Sequence, residues 1–272
     1  MKKLLYILAI IVSGILSSCS SSNCEITYCS EGKCITLGNL DGWGAEISSH
    51  EFKNGLGKIT FNGKVTNVPE SAFRDCKKLR SITLPNSITS INRIAFYGCE
   101  NLKAIKLPDN LKIINDSAFA YCESLKSLTI PDGVTTIGYR AFNSCNSLEF
   151  IDIPNSVTSM KAYAFSDCHL LHIITIPENI TLIPEGLFYE CDYLEEITIP
   201  DGVTSIERYA FSDCSSLTSV YCKAKTPPSG GSGMFHSNAS GRKIYVPRNS
   251  VKAYKSAKYW KDYADNIVGY DF

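Results

Sequence analysis

The fold is decided by residues 79–102, LRSITLPNSITSINRIAFYGCENL, because their pattern returns along most of the chain at the constant interval that separates Phe73 from Phe96. The most regular part of the pattern is Phe-x-x-Cys-x-x-Leu, which occurs seven times without a change of spacing. The phenylalanines are Phe73, Phe96, Phe119, Phe142, Phe165, Phe188 and Phe211. A fixed period of this length is typical of a solenoid, in which each coil buries its apolar face only against its neighbours.

One repeat also predicts the path of one coil. Ile82 and Leu84 alternate with polar neighbours, which indicates a short half-buried strand. Pro85 ends that strand because proline lacks the N–H that a central ladder requires. Four apolar residues then follow at spacings of four, four and three, which predicts one or two helical turns. They are Ile91, Ala95, Cys99 and Leu102. Strands of successive coils run parallel, because each coil returns to the same side.

The charge and cysteine content limit the function. The chain carries 27 basic and 27 acidic residues, so nothing in its net charge favours nucleic acid or an anionic membrane surface as a partner. Of the 12 cysteines, seven belong to the repeat. One thiol per coil, set between an inward phenylalanine and an inward leucine, predicts a file of buried and unreactive structural thiols. Disulfides between the thiols of neighbouring coils are the alternative. A linear file of this kind does not supply a tetrahedral zinc site.

Residues 1–18 are interpreted as a lipoprotein signal peptide. Lys2 and Lys3 precede the apolar stretch 4–16, which is too short to span a bilayer and has the length that is typical of a signal peptide. The sequence Leu-Ser-Ser-Cys at 16–19 resembles the lipobox of bacterial lipoproteins. The resemblance implies that Cys19 is diacylated and becomes the mature N-terminus. The alternative is an ordinary cleavage site beside an incidental cysteine.

Residues 19–58 are interpreted as a lipidated tether followed by an N-terminal cap. Residues 25–28 and 35–37 alternate as two strands around a four-residue hairpin loop, 30–33. Cys29 and Cys34 flank that loop and are expected to face each other. A disulfide, two free thiols, or a metal site are the alternatives, and a metal site lacks a local fourth ligand.

The repeat resembles the BspA-like class of leucine-rich repeats, which occurs in bacterial cell-surface proteins. The resemblance covers residues 59–222, and a closing segment, KIYVP at 243–247, is also similar. It implies an α/β solenoid: a curved, right-handed leucine-rich-repeat stack with parallel strands, short helical turns and terminal caps. It also implies a surface role in adhesion or protein recognition, with no catalytic residues. Cys222 stands where other coils carry leucine or isoleucine, so we interpret it as a buried apolar substitute.

Residues 223–272 are interpreted as a C-terminal cap. Residues 225–233 form a loop that breaks the 23-residue register, and 244–246 offer one last strand. Ser250 is placed as the N-cap of a helix that runs to about Asn266. Three aromatic residues of that helix are expected to cover the open end of the stack, with a carbohydrate platform as the alternative. They are Tyr254, Trp260 and Tyr263.

No catalytic, cofactor or metal motif is present in the sequence, which predicts a protein that is not an enzyme. His169 and His172 lie close together in one coil, where a solvated face explains them better than a site. Asp116-Ser117-Ala118 resembles an O-glycosylation acceptor of some Gram-negative anaerobes, which would place a glycan on Ser117. A chance polar pair before the repeated alanine is the alternative.

The outward positions of the strands form the candidate site, because packing leaves them free to vary. We name these positions the outer strip, and we define it by the following residues. They are Arg80, Lys103, Lys106, Lys126, Glu149, Phe150, Asp152, His172, Ile173, Glu195, Glu196 and Tyr221. The strip is basic in its first coils and acidic from Glu149 onward. Together with the lipobox resemblance at Cys19 and the family resemblance, the strip predicts a lipid-anchored protein of the outer membrane or cell surface that binds a protein or glycoprotein. A structural envelope protein without a discrete ligand is the alternative.

Overall fold

The computed structural model describes residues 23–32 and 35–272, which form a parallel-strand β-solenoid of about nine turns. Three antiparallel strands come first, and they are β1 (Glu25–Ser30), β2 (Ile47–Lys53) and β3 (Leu56–Phe61). Strand β1 pairs on one side with β3 and on the other with the first long strand of the repeat. Both edges of β1 are therefore occupied. The hairpin expected between residues 25–28 and 35–37 is wrong, and the backbone N–H of Gly38 instead donates to Ala72.

Two rows of parallel strands run along the stack. The first row consists of β5 (Leu79–Thr83), β7 (Ala104–Lys106), β9 (Ser127–Thr129), β11 (Phe150–Asp152), β13 (Ile173–Ile174), β15 (Glu196–Ile199), β17 (Ser219–Cys222), β19 (Lys243–Pro247) and β20 (Ile267–Tyr270). The second row consists of β4 (Asn67–Val68), β6 (Ser90–Ile91), β8 (Ile113–Ile114), β10 (Thr136–Ile137), β12 (Ser159–Met160), β14 (Leu182–Ile183), β16 (Ser205–Ile206) and β18 (Ser229–Gly230). Paired positions within the repeats are one full repeat apart, as in Phe150 with Ile173, so equivalent side chains of neighbouring coils lie side by side.

The helical turns predicted for each coil are absent from the described residues 59–222. In the turn that follows each second-row strand from β4 to β16, every other backbone N–H group donates to a carbonyl of the next coil. In one coil these are the N–H groups of Ile94, Phe96 and Gly98. The N–H groups between them donate backward along their own coil, as Tyr97 does to Ile94. Ile94 and Gly98 also have positive φ angles, 49° and 70°, which an α-helix does not contain. The apolar spacing is therefore satisfied by a turn that hydrogen-bonds from coil to coil.

The core is a continuous file of identical side chains. Neighbouring phenylalanine rings from Phe73 to Phe211 stack nearly parallel, and the distances between ring centroids range from 5.0 Å to 5.7 Å. The ring of Trp43 meets the first of them edge-on at 5.8 Å, and Phe235 continues the file at the other end. Each phenylalanine is fully buried, so every coil presents the same apolar surface to the next.

The seven repeat cysteines are buried free thiols, as the sequence predicts. From Cys99 onward each thiol donates to the backbone carbonyl of a phenylalanine in the preceding coil, as Cys99 does to Phe73 at 3.1 Å. Burial raises the pKa of Cys145 from its ordinary value of 9.0 to about 12, and it raises the pKa of the other six as well. These thiols therefore pack the interior and are protonated at neutral pH.

The C-terminal region continues the stack further than expected. Residues 225–233, predicted to break the register, contain β18, and the next phenylalanine of the file, Phe235, follows Phe211 at nearly the repeat spacing. A 3-10 helix (Arg248–Ser250), helix α1 (Val251–Ser256) and a second 3-10 helix (Trp260–Asn266) then precede β20.

The long helix predicted from Ser250 to about Asn266 is wrong. The backbone leaves the helix after residue 256, and Tyr259 has a positive φ of 65°. Ser250 does not cap a helix with its side chain, because its hydroxyl donates to the carbonyl of Lys225 at 2.6 Å. Tyr254 and Trp260 are fully buried, which removes them as a carbohydrate platform and makes them part of the packing over Phe235.

Candidate recognition surface

The outer strip lies on the solvent side of the first strand row. Side chains alternate across each strand, so when Ile105, Leu128 and Ile151 point into the core, the residues on either side of them point outward. Of the twelve strip residues, all except Tyr221 are exposed, and Tyr221 is half-buried. The strip residues within the strands therefore share one face, and those directly before a strand, such as Lys103 and Glu149, are exposed as well.

The centre of the strip is apolar. Phe150 and Ile173 are paired partners on neighbouring strands, and they are 38% and 54% exposed. Ser127 is the partner of Phe150 on the preceding strand and Glu196 begins the strand after Ile173, so the apolar pair is bounded along the row by polar side chains. Two side chains are a small apolar patch, so the pair is one part of the outer strip and does not mark a contact site by itself.

Charges in the strip are largely left unpaired within the described part of the chain. The three that do have partners there are Arg80, which pairs with Glu31, Lys106, which lies 3.8 Å from Asp109, and Glu196. No ion pair is formed in the described chain by the five other acidic and basic side chains of the strip. They are Lys103, Lys126, Glu149, Asp152 and Glu195.

The turns that lead from a second-row strand to the next first-row strand, named here the turn side, show the opposite behaviour, because their charges pair from coil to coil. His169 lies 2.9 Å from Asp192, Arg208 lies 2.9 Å from Glu185, and in each case the partners are about one repeat apart. Arg93 and Glu70 pair in the same way. The repeat register thus makes ion pairs easily available, and the outer strip does not use them.

An aromatic cluster closes the C-terminal end of the strip. The rings of Tyr221 and Tyr245 stack at 4.7 Å, and Tyr270 meets both edge-on at 5.5 Å. Phe272, which is 52% exposed, adds to the cluster through Tyr270. Sequence reasoning placed only Tyr221 here. Tyr270 and Phe272 lie outside the repeat, so periodicity carried no signal for them, although aromatic residues in strand-like segments near the end were visible.

Other predicted sites stand apart from the strip. Cys19 lies outside the described residues, and so does Cys34, so lipidation and the disulfide with Cys29 stay predictions. Ser117 is half-buried at a turn with a positive φ of 52°, and its glycosylation also stays a prediction. His172 is exposed, and its Nδ1 lies 3.1 Å from the carbonyl of Leu170.

The described residues contain no group of three or more histidine, cysteine or acidic side chains that could hold a metal ion. The imidazole of His169 has its carboxylate partner, Asp192, on an adjacent coil and faces no nucleophile in any hydrogen bond of the described chain. In residues 23–32 and 35–272 no helix has the length and apolarity that a bilayer crossing requires.

This architecture, in which each coil adds one strand to each of two parallel rows and one phenylalanine to a continuous apolar file, is that of a leucine-rich-repeat solenoid. The family model described as the BspA type leucine-rich repeat region matches residues 45–172 and 161–260, in six copies. Since the match covers most of the chain, the chain belongs to this family, as the sequence resemblance predicts. Repeats of this family form a general protein-interaction module and are typically not enzymes.

Solved structures of similar proteins support the fold. A leucine-rich repeat protein of T. pallidum is 36% identical, with a TM-score of 0.56, over 57% of this chain and 73% of that chain. One from Bacteroides ovatus is 24% identical, with a TM-score of 0.54, over 74% of this chain. The chain spans about 62% of the length of the Bacteroides ovatus protein. No curated protein matches the chain.

Proposed function

We propose that this protein is a lipid-anchored cell-surface module that binds a protein or glycoprotein through the outer strip, in adhesion or another intercellular contact. The observation that carries the proposal is the set of unpaired strip charges, sorted by sign around the apolar pair of Phe150 and Ile173. Stacking does not require that sorting, since the turn side pairs its charges between coils. Complementary charge selects a partner and steers its approach.

The small size of the strip limits the affinity with which it can bind a partner. The seven strands that carry it, at about 4.8 Å spacing, give a length of roughly 30–35 Å and a width of two or three side chains. The surface area of such a strip is well below the roughly 800 Å² that each partner buries in a stable interface. Binding through the strip alone is therefore weak and sensitive to salt, and many copies on one surface would strengthen it by avidity.

The proposal is tested by reversing the charge of the basic half. A partner captured from the natural surroundings is measured against the wild type and against a Lys103→Glu, Lys106→Glu, Lys126→Glu variant at low salt. We expect the variant to lose most of its affinity while its circular dichroism is unchanged. A matched control reverses Lys252, Lys255 and Lys258, which lie outside the strip. Equal affinity of the strip variant and the wild type contradicts the proposal and favours a structural role without a discrete ligand.

The lipid anchor is tested separately at Cys19. A Cys19→Ala variant is expected to appear in soluble fractions or to accumulate as an unprocessed precursor, because the acyl chains that hold the protein at the membrane are lost. Cys24→Ala, a short distance further along the chain, serves as the control. A Cys19→Ala protein that is processed and stays membrane-bound like the wild type contradicts the anchor.

A further inference from the structure

A recess beside the aromatic cluster provides a second kind of contact at the C-terminal end of the outer strip. It measures about 230 Å³ and is lined by Glu196, Thr198, Tyr221, Lys223 and Phe272. Pockets for drug-sized ligands measure roughly 300–1,000 Å³, so this recess admits about one ring of a larger ligand.

The recess has an aromatic wall that is open on one side. Tyr221 stacks on Tyr245 with one face. On the preceding strand its paired partner is Thr198, whose short side chain leaves the other face of the tyrosine uncovered. Phe272 lines the same recess. A flat ligand ring that enters above Thr198 therefore stacks on Tyr221.

The charges of the recess decide which ring fits. Burial, Tyr245 and the nearby carboxylate of Glu196 together raise the pKa of Tyr221. Lys223 supplies an ammonium group, which lies 3.5 Å from Glu178. With one carboxylate and one ammonium group in its lining, the recess has no net preference for a cationic or an anionic ligand. A neutral ring with several hydroxyl groups can donate to the carboxylate and accept from the ammonium group at the same time.

We propose that this recess binds a single neutral pyranose unit of a surface glycan, with its C–H face on Tyr221 and its hydroxyl groups on Glu196 and Lys223. The inference rests on the proposed recognition function, because Glu196 and Tyr221 belong to the outer strip. It names the ligand class for one end of that strip. The basic half of the strip takes no part in it.

The test is saturation-transfer NMR on the folded protein with the methyl pyranosides of galactose, mannose and N-acetylglucosamine as probes. We expect at least one of them to receive saturation at its ring C–H groups from the wild type and from Tyr221→Phe, which keeps the stacking face. Tyr221→Ala should weaken that signal roughly tenfold, the loss of about one stacking contact. Tyr193→Ala, which removes a tyrosine that is 58% exposed elsewhere, should leave it unchanged.

A Thr198→Trp variant gives an independent test that leaves Tyr221 in place, since it fills the recess from an exposed position. It should abolish the signal. The site is overturned if no pyranoside receives saturation, if the signal survives both Tyr221→Ala and Thr198→Trp, or if arginine methyl ester binds there instead. The Lys103→Glu, Lys106→Glu, Lys126→Glu variant should still bind the sugar, so failure of the charged strip and failure of this recess give different results.

Discussion

The inner file and the outer strip can be compared within a single coil. Phe142 and Cys145 are fully buried, and the same residue types stand at these positions in every neighbouring coil. Glu149, Phe150 and Asp152 follow shortly afterwards, are exposed, and have no counterpart of the same chemistry in most other coils. The repeated residues make the coils stack, because each coil must match the next. The residues that do not repeat are free from that demand, so they distinguish this chain from any other stack of the same repeat.

The largest effect is expected when the inner file receives a charge. Phe142 stacks between Phe119 and Phe165 at 5.4 Å and 5.5 Å, so Phe142→Ala should lower the free energy of unfolding by about 3–5 kcal/mol. Phe142→Asp should lower it further, because a carboxylate is buried without a partner. Urea denaturation measures both, and Phe150→Asp in the same coil is the control. Phe150 is 38% exposed and lies on a strand, so its change should be about 1 kcal/mol. Similar destabilisation at the two positions contradicts the comparison.

Removal of one whole coil should disturb the protein less than one buried charge. A deletion of residues 102–124 brings Leu125 to the place of Leu102, so every remaining coil keeps its neighbour and the file stays in register. We expect a shorter folded solenoid with one cooperative unfolding transition, measured by circular dichroism during thermal denaturation. Deletion of 102–118, which shifts the register by part of a coil, is the matched control and should not fold. Equal behaviour of the two deletions speaks against a modular stack.

The buried thiols predict a smaller effect that depends on pH. The unfolded chain releases the Cys145 proton near pH 9.0, whereas the folded chain, in which burial raises the pKa, releases it near pH 12. Between these values the folded state binds more protons, so stability falls as pH rises, by up to about 1.4 kcal/mol per pH unit for this group. Urea denaturation at pH 8, 9, 10 and 11 should show a shallower loss for Cys145→Ala than for the wild type. Parallel curves would mean that the thiol is not protected by burial.

Much of the fold could be predicted from the sequence, because a constant repeat length indicates which residues lie side by side on neighbouring coils. The alternation at Ile82 predicts the first strand row. The constant spacing of residues such as Phe96 predicts the buried files of phenylalanine, cysteine and leucine side chains. The second strand row did not follow, because strands as short as Ser90–Ile91 have no periodicity. The turn after them has apolar spacings that a helix also satisfies, and only the hydrogen bonds to the next coil distinguish the two.

The candidate site was predicted in position but not in its electrostatics. Lys103 and Glu195 were placed outside because each follows the repeated leucine at a position that packing leaves free to vary. That Arg80 is neutralised by Glu31 could not be predicted, because β1 reaches the first coil from a segment without repeats. The aromatic recess was missed for the same reason, since β20 and Phe272 follow an irregular segment.

The most direct test of the central claim, that folding and recognition occupy opposite faces of each coil, is to remove four of the five unpaired strip charges together. Lys103, Lys126, Glu149 and Glu195 are each replaced by serine, and the free energy of unfolding in urea is measured with the affinity for the captured partner at low salt. We expect the free energy of unfolding to stay within about 1 kcal/mol of the wild type, because these groups form no ion pair in the described chain. The affinity should fall at least about tenfold. A strongly destabilised variant, or one that binds its partner as the wild type does, contradicts the account.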